Sequence, residues 1–161
     1  MFRKRIAFEY EVYASLDDLP LQDRLLMETA INAREDAYAP YSGFRVGAAV
    51  LLDNEEVVIG SNQENASFPS GLCAERVAIF QAGARFPGVA IKTIAISAAS
   101  VKILVDRPAA PCGNCRQAIA EYEQRQQGGI AILMAGKEGE VFRCLSVADL
   151  LPFAFGPQNL E

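Results

Sequence analysis

Three cysteines and one glutamate are spaced so that they could form a metal site. Cys73 and Glu75 stand two positions apart at the start of a predicted helix, and Cys112 and Cys115 form a Cys-x-x-Cys at the start of another. Three thiolates on one Zn²⁺ leave its fourth tetrahedral position for a water, whose pKa the metal lowers to roughly 7. A free carboxylate beside that water is suited to moving protons. The spacing is therefore compatible with a catalytic zinc site.

The Cys-x-x-Cys has two other interpretations. Cys-Gly-x-Cys also occurs in thioredoxin-like redox proteins, and it could form half of a structural zinc site. The remaining cysteine, Cys144, would complete a closed Cys₄ site, although a lone cysteine in a predicted strand is more commonly a buried, inert thiol. The redox interpretation gives no role to Cys73 or Glu75. The motif by itself does not decide among the three.

Ordinary structural roles are available for the other polar candidates. Glu75 could be a solvated residue of the first helical turn, where acidic side chains are favourable. Arg76 could be a surface charge, but three thiolates on one Zn²⁺ carry net negative charge, which a guanidinium hydrogen-bonded to sulfur would offset. Asn62 and Glu64 lie in a short polar loop that they could cap, and loops are also where binding groups concentrate.

Composition narrows the class of protein. With 161 residues, 51% of them hydrophobic, the chain can bury one good core, so we expect a single domain over 1–161. The apolar stretches are shorter than the about 18 residues that span a bilayer, and the N-terminus lacks an apolar signal-peptide centre. We therefore expect a cytoplasmic protein without a membrane partner.

Charge and cysteine content limit which metal ligands and which class of substrate the protein can use. Four cysteines without a secretory signal favour reduced thiols or metal ligands, and the absence of histidine means that sulfur must hold any zinc. A net charge of -5 and a pI of about 4.9 argue against a nucleic acid polymer, because phosphate contacts need clustered Lys and Arg. A small neutral ligand fits better.

The spacing of apolar residues predicts alternating helices and strands, as in layered α/β domains. The helices are expected at 21–38, 73–84 and 112–127. The strands are expected at 44–52, 57–59, 91–98 and 130–134. The second helix is expected to bury Val77, Ala78 and Phe80 or neighbouring residues. Residues 1–19 are expected to form an arm or an added edge strand, and 149–155 a short helical turn with an aromatic tail, while Phe44 and Phe155 would by default be core residues.

Five motifs resemble, in the same order, those of the small three-cysteine cytidine deaminases. They are Tyr-Ser-Gly-Phe-Arg-Val-Gly-Ala-Ala at 41–49, Asn-Gln-Glu-Asn-Ala-Ser-Phe at 62–68, Cys-Ala-Glu-Arg at 73–76, Pro-Cys-Gly-Asn-Cys-Arg-Gln at 111–117 and Leu-Leu-Pro-Phe-Ala-Phe at 150–155. The match runs from about residue 37 to the end. Zinc nucleobase deaminases share a His or Cys ligand, a Glu that is not a ligand, and Pro-Cys-x-x-Cys. Five motifs in family order are far more specific than any one of them.

The resemblance implies a fold and an activity. The fold is a three-layer α/β/α domain with a mixed sheet of about five strands, assembled as a homotetramer. The activity is zinc-dependent hydrolytic deamination of cytidine and deoxycytidine to uridine and deoxyuridine, in pyrimidine salvage. A deaminase for another cytosine-bearing compound is the alternative within the family, and a Cys₄ structural-zinc interaction module is the alternative outside enzymes. Asn62 and Glu64 favour the nucleoside, because a pair that reads hydroxyl groups has no use in an interaction module.

The resemblance also implies the roles of the metal-site residues. Cys73, Cys112 and Cys115 would bind one Zn²⁺ per chain, and Glu75 would be the proton shuttle. The charge of the three thiolates, rather than the resemblance, is the reason to expect Arg76 beside the sulfurs.

Six residues are implied as substrate contacts. They are Phe44, Asn62, Glu64, Ala66, Ala74 and Phe155. Asn62 and Glu64 are implied as partners of the ribose hydroxyls, and Phe44 as a face for the pyrimidine. The two alanines would contact the base through their backbone, and Phe155 would reach the site from a neighbouring subunit. Two features depart from the family pattern: Phe68 stands where a Tyr is common, and the N-terminal arm is longer.

Overall fold

The computed structural model describes residues 1–126 and 128–160, and its centre is a six-stranded mixed sheet. In chain order the elements are β1 (Glu11–Tyr13), α1 (Leu21–Glu35), β2 (Phe44–Leu52), β3 (Val57–Ser61), α2 (Ala74–Arg85), β4 (Ile91–Ser100), α3 (Gly113–Gln126), β5 (Ala131–Ala135) and β6 (Val141–Cys144). The strand order across the sheet is β1-β6-β5-β4-β2-β3. β4 and β5 run parallel, and the other neighbouring pairs run antiparallel.

Each face of the sheet carries its own apolar layer. Successive side chains of a strand point to opposite faces, so Ala49 and Leu51 of β2 belong to one cluster and Val50 to the other. The first cluster includes Met27 of α1. The second includes Ile119 of α3 and residues of α2. One helix therefore covers one face and two helices cover the other, which confirms the three-layer α/β/α arrangement.

Gly60 of β3 lets the start of α2 approach the sheet closely. A Cβ atom at Gly60 would lie 2.6 Å from the carbonyl oxygen of Ala74, a distance that real Cβ contacts essentially never show. Only glycine fits a backbone approach this close. The contact matters for function because Cys73 and Glu75 flank Ala74.

The sheet has one strand more than the five expected, because the N-terminal segment supplies an edge strand. Glu11 of β1 pairs with Arg143 of β6, and the Arg143 guanidinium Nη1 donates to Oε2 of Glu11 at 2.9 Å. Nε of Arg143 also lies 3.3 Å from Oδ2 of Asp23 on α1. Of the two alternatives for residues 1–19, the edge strand is formed by 11–13, while residues 1–10 run outside the sheet and are exposed.

Long-range contacts account for the differences in element ends. α1 ends at Glu35 rather than at Tyr38, because the Tyr38 amide donates to the carbonyl of Asn62 at 3.0 Å and the Tyr38 carbonyl accepts from Glu64 at 2.9 Å. These contacts draw Tyr38 towards the polar loop. α2 buries Ala78 and Ile79, as expected of Ala78 and of a neighbour of Phe80, whereas Phe80 itself is 45% exposed.

Three further expectations concern the end of the third helix, the turn near the C-terminus and membrane-spanning helices. The third helix was expected to reach Gln127, which lies outside the described residues; α3 is described to Gln126. The short helical turn near the C-terminus spans Val147–Asp149 and precedes the aromatic tail. Within the described ranges, each helix is too short or too polar to cross a membrane.

Candidate metal centre and substrate cavity

Three sulfur atoms meet at the starts of α2 and α3. Sγ of Cys73 lies 3.8 Å from Sγ of Cys112, and Sγ of Cys112 lies 3.5 Å from Sγ of Cys115. All three lie within 4.8 Å of one another. Two thiolates bound to one tetrahedral Zn²⁺ at roughly 2.3 Å are roughly 3.8 Å apart, so the donors fit zinc in kind and in spacing. Cys144 is buried at the end of β6 and is not part of this group.

The surroundings of Cys73 favour its thiolate. Cys73 is the N-cap of α2, and a thiolate at a helix N-terminus is stabilised by the positive end of the helix dipole. A hydrogen bond with Cys115 and one with Arg76 lower the pKa of Cys73 to about 5. Nη2 of Arg76 lies 3.9 Å from Sγ of Cys73. The guanidinium therefore lies beside the sulfurs, where it offsets their negative charge.

Glu75 is buried beside the sulfur group. Its side chain belongs to the first turn of α2, and the residue is only 4% exposed. Burial raises the pKa of Glu75 above its ordinary value, and the charge of the Cys73 thiolate acts in the same direction. A carboxylate with a raised pKa accepts and returns a proton more readily near neutral pH. The geometry thus pairs a metal-binding group with a candidate general base.

A cavity of about 750 Å³ opens onto this group. Cys73, Cys112, Glu75 and Arg76 belong to its lining. The other lining residues are Tyr41, Ser42, Phe44, Val46, Asn62, Gln63, Glu64, Asn65, Phe68, Gly71, Leu72, Ile96, Ala109 and Ala110. The fold therefore brings the metal group, β2 and the polar loop around one space.

Asn62 is held at the cavity by the backbone of β2. Its Oδ1 accepts from the amide of Val46 at 2.8 Å, and its Nδ2 donates to the carbonyl of Phe44 at 3.0 Å. The backbone amide of Asn62 also donates to the carbonyl of Val46 at 3.1 Å. These bonds fix the orientation of the side chain, and they leave the second N–H of its amide group for a ligand.

Glu64 is held in a similar way by the backbone that directly precedes β2. Its Oε2 accepts from the amides of Tyr41 at 2.8 Å and Ser42 at 3.2 Å. The Ser42 hydroxyl, together with these amides, holds the pKa of Glu64 below its ordinary value. Gln63 and Leu72 exchange two backbone hydrogen bonds of 2.9 and 3.0 Å and so close the loop. Both backbone amides bond Oε2, so Oε1 of Glu64 takes part in neither of these backbone bonds and can accept from a ligand.

Three of the expected substrate contacts do not line the cavity of their own chain. Ala74 is fully buried and Ala66 is exposed. Phe155 is 56% exposed, and its carbonyl accepts a hydrogen bond from Gln117 at 2.9 Å. The structure therefore gathers Phe44, Asn62 and Glu64 in the cavity lining. Ala66 and Ala74 are not in that lining but directly follow two of its residues, Asn65 and Cys73.

Sequence reasoning assigned no role to several lining residues. The ring of Tyr41 meets that of Phe68 edge to face with centroids 5.9 Å apart. Both residues stand in the motifs at 41–49 and 62–68, which was the available signal. Ala109 and Ala110 directly precede the second cysteine motif, but small apolar residues carry no sequence signal of binding.

The chain matches a known family and curated relatives. Residues 20–127 match the family model described as the cytidine and deoxycytidylate deaminase zinc-binding region. The cytidine deaminase of Halalkalibacterium halodurans is 38% identical over 140 residues, which are 86% of this chain and 97% of that protein. The cytidine deaminase of Sporosarcina psychrophila is 37% identical over 139 residues, 86% of this chain and 94% of that protein.

Solved structures give the same likeness. The crystal structure of cytidine deaminase from Burkholderia pseudomallei matches with a TM-score of 0.71 and 41% identity, over 81% of this chain and 97% of that chain. The crystal structure of cytidine deaminase from Mycobacterium tuberculosis matches with a TM-score of 0.65 and 30% identity, over 85% of this chain and 99% of that chain.

Proposed function

Because this chain belongs to the family defined by the cytidine and deoxycytidylate deaminase zinc-binding region, we propose that it hydrolyses the 4-amino group of cytidine and deoxycytidine. The products are ammonia and either uridine or deoxyuridine. This reaction is a step of pyrimidine salvage. One observation carries the proposal: three sulfurs at zinc-binding distances and the buried Glu75 share one cavity with Asn62 and Glu64. A Cys₄ interaction module is less well supported, since Cys144 lies outside the sulfur group.

The metal site would take one Zn²⁺ per chain through Cys73, Cys112 and Cys115. Zinc in such a site supplies a Lewis acid that lowers the pKa of water to roughly 7. Arg76 offsets the charge of the three thiolates, and the positive ends of α2 and α3 act in the same direction.

Glu75 performs the proton transfers. It accepts a proton from the attacking water as the water oxygen bonds to carbon 4 of the pyrimidine, and it passes that proton to nitrogen 3. It then carries the remaining proton of the new hydroxyl to the 4-amino group. The carbon–nitrogen bond breaks, ammonia leaves, and a carbonyl remains at carbon 4. The raised pKa of Glu75 suits a group that must both take and release a proton.

The cavity residues orient the nucleoside. Asn62 and Glu64 bind the ribose hydroxyls through the N–H and Oε1 that their backbone bonds leave available. Phe44 offers a ring to the pyrimidine, and the backbones of Ala66 and Ala74 contact the base. Hydroxyl recognition of this kind discriminates strongly against compounds that lack the sugar, because the polar groups of the site stay unpaired when the hydroxyls are missing.

The charge of the cavity favours a nucleoside over its 5′-phosphate. Among the described lining residues, Arg76 is the only cationic side chain, and its guanidinium faces the sulfur of Cys73. The lining also contains the carboxylates of Glu64 and Glu75. Lys102 lies outside the lining, where its Nζ donates to the carbonyl of Tyr41 at 3.3 Å. A phosphate in this cavity would therefore meet more negative than positive charge.

The proposal extends to the assembly. We take residues 1–161 as one deaminase domain that forms a homotetramer in the cytoplasm, where the four free thiols stay reduced. Phe153 is 92% exposed and Phe155 is 56% exposed, which supports an interface at the C-terminal tail, because contiguous exposed apolar surface usually marks one. Phe155 would reach the cavity of a neighbouring subunit and stack on the base bound there.

Zinc content measured beside the ultraviolet change on adding cytidine tests the proposed function. We expect about one zinc per chain and a spectrum that shifts from cytidine to uridine, with little change for cytidine 5′-monophosphate. A chain that binds zinc but leaves cytidine unchanged would contradict the proposed activity. A chain that cannot bind zinc would contradict the proposed site.

A further inference from the structure

The guanidinium of Arg116 bridges two segments of the chain next to the metal centre. Its Nε donates to the carbonyl of Pro111 at 2.7 Å, and its Nη1 donates to the carbonyl of Leu150 at 2.7 Å. The backbone amide of Arg116 donates to the carbonyl of Cys112 at 2.9 Å. One side chain thus ties the peptide that precedes Cys112 to the C-terminal segment, here residues 150–155.

Cys112 needs such support more than the other cysteine of its motif. Cys115 lies inside α3 and is fully buried, so the helix and the core fix it. Cys112 precedes the first residue of α3 and is exposed. Its sulfur position depends on the orientation of the Pro111–Cys112 peptide, whose carbonyl is the acceptor of the Arg116 bond. Charge-assisted hydrogen bonds of this length are among the stronger ones in proteins.

The C-terminal segment is attached to the same turn of α3 at both of its ends. Leu150 accepts from Arg116, and Phe155 accepts from Nε2 of Gln117 at 2.9 Å. Leu150 and Leu151 also pack against the apolar cluster that contains residues of α2 and α3. The two residues that follow Cys115 therefore hold the segment against the start of α3.

We propose that Arg116 is a positioning residue that links the order of the C-terminal segment to the position of Cys112 in the metal centre. The inference rests on the proposed zinc site. Energetic coupling between two sites is reciprocal. Zinc binding should therefore protect the C-terminal segment, and an ordered C-terminal segment should slow the loss of zinc. A forked guanidinium can reach two carbonyls at once, whereas the single ammonium of a lysine replaces it incompletely.

Zinc release and amide hydrogen exchange test the link together. Release is followed with a chromogenic chelator, and exchange is followed over 147–155 with and without zinc. Arg116→Ala should release zinc about 10- to 100-fold faster than the parent if the loss of metal affinity, typically about 10- to 100-fold for residues that orient metal ligands, is expressed in the release rate. Arg116→Lys should fall between the two. The matched control is Arg125→Ala on the last turn of α3, where the guanidinium lies 5.1 Å from the Tyr122 ring centroid.

The exchange measurement separates positioning from a general loss of stability. In the parent, removing zinc should speed exchange over 147–155; in Arg116→Ala exchange should be fast with or without zinc. Zinc release at the rate of Arg125→Ala, or a zinc effect on exchange equal to that of the parent, would overturn the inference. If Arg116→Ala does not fold, Arg116→Lys decides by the same two readings. A parent that holds no zinc fails the proposed function, whereas a parent that holds zinc beside an unaffected variant fails this inference alone.

Discussion

Oδ1 of Asn62 accepts a hydrogen bond of 2.8 Å from the backbone amide of Val46, so a side chain of the cavity also joins the polar loop to β2. Nδ2 of the same Asn62 side chain donates to the carbonyl of Phe44. Asn62 therefore orients Phe44 as well as offering its remaining N–H to a ligand. A substitution at Asn62 would disturb both functions at once, which makes Glu64 the better residue for testing sugar recognition.

We predict that free cytosine is a very poor substrate. Without the sugar, the groups that Asn62 and Glu64 present stay unpaired, which costs about 10⁴ or more in kcat/KM in favourable cases. Glu64→Gln keeps an oxygen that can accept from the amides of Tyr41 and Ser42, so it should lower kcat/KM for cytidine far more than for cytosine. Steady-state kinetics on both compounds measure the ratio. Deamination of cytosine as fast as cytidine would contradict sugar recognition.

Cys144 should be dispensable for metal binding. Its side chain is buried at the end of β6, away from the three-sulfur group, so Cys144→Ser should keep zinc and turnover. A buried hydroxyl without a partner should lower the free energy of unfolding by about 1 to 3 kcal/mol. Cys112→Ser, the matched comparison, should lose both zinc and activity. A Cys144→Ser chain that purifies without metal would support a Cys₄ site instead.

The attachment of β1 should depend on pH. The hydrogen bond from Arg143 lowers the pKa of Glu11 below its ordinary value of 4.5. A lowered folded-state pKa stabilises the folded state above the ordinary value, and this stabilisation is lost as pH falls through the lowered one. The protection of the amides over 11–13, measured relative to the intrinsic exchange rate at each pH, should therefore fall at low pH in the parent and be weak throughout in Glu11→Gln. Glu9→Gln, two residues earlier on the arm, serves as the control. If protection over 11–13 depends on pH in Glu11→Gln as it does in the parent, the role of this ion pair is contradicted.

Local patterns were sufficient for most elements. Apolar spacing located the three helices and the strands β2 to β5. The spacing of the two cysteine motifs was compatible with a metal group of Cys73, Cys112 and Cys115, but it took the resemblance of five motifs in order to choose this group over a redox motif or a Cys₄ site. The end of α1 could not be read locally, since contacts of Tyr38 with a distant loop determine it. The exposure of Phe80 depends likewise on how α2 is rotated against the sheet.

The bridging side chains were beyond sequence reasoning for the same reason. Arg116 stands in a recognised motif, yet nothing in the motif shows that its guanidinium reaches Leu150, 34 positions later. The edge strand at 11–13 likewise depends on the partner that β6 supplies. In each case the information lies in the tertiary contact rather than in the local pattern.

Phe155→Ala should weaken substrate binding. A ring stacked on a base contributes about 1 to 3 kcal/mol, so the variant should raise KM by roughly ten- to a hundredfold while zinc content and assembly change little. Kinetics with cytidine measure the change. Phe153, which is 92% exposed, provides the matched control as Phe153→Ala.

Mixing two variants tests whether Phe155 acts across subunits. Tetramers that combine Phe155→Ala chains with Glu75→Gln chains should contain sites in which one chain supplies the carboxylate and another the ring. The mixed tetramers are expected to be more active than the average of the unmixed Phe155→Ala and Glu75→Gln tetramers. Activity equal to that average would place Phe155 within its own chain.

Glu75→Gln tests the central claim, that a buried carboxylate moves protons beside a three-sulfur zinc site. The amide has nearly the same shape as the carboxyl group but cannot accept the proton, and Glu75 is not one of the three sulfur ligands. The measurement is zinc content together with the rate of cytidine deamination on one preparation. We predict about one zinc per chain and a turnover lowered by about 10² to 10⁴, the contribution typical of positioned acid–base catalysis. A zinc-loaded variant as active as the parent would contradict the account.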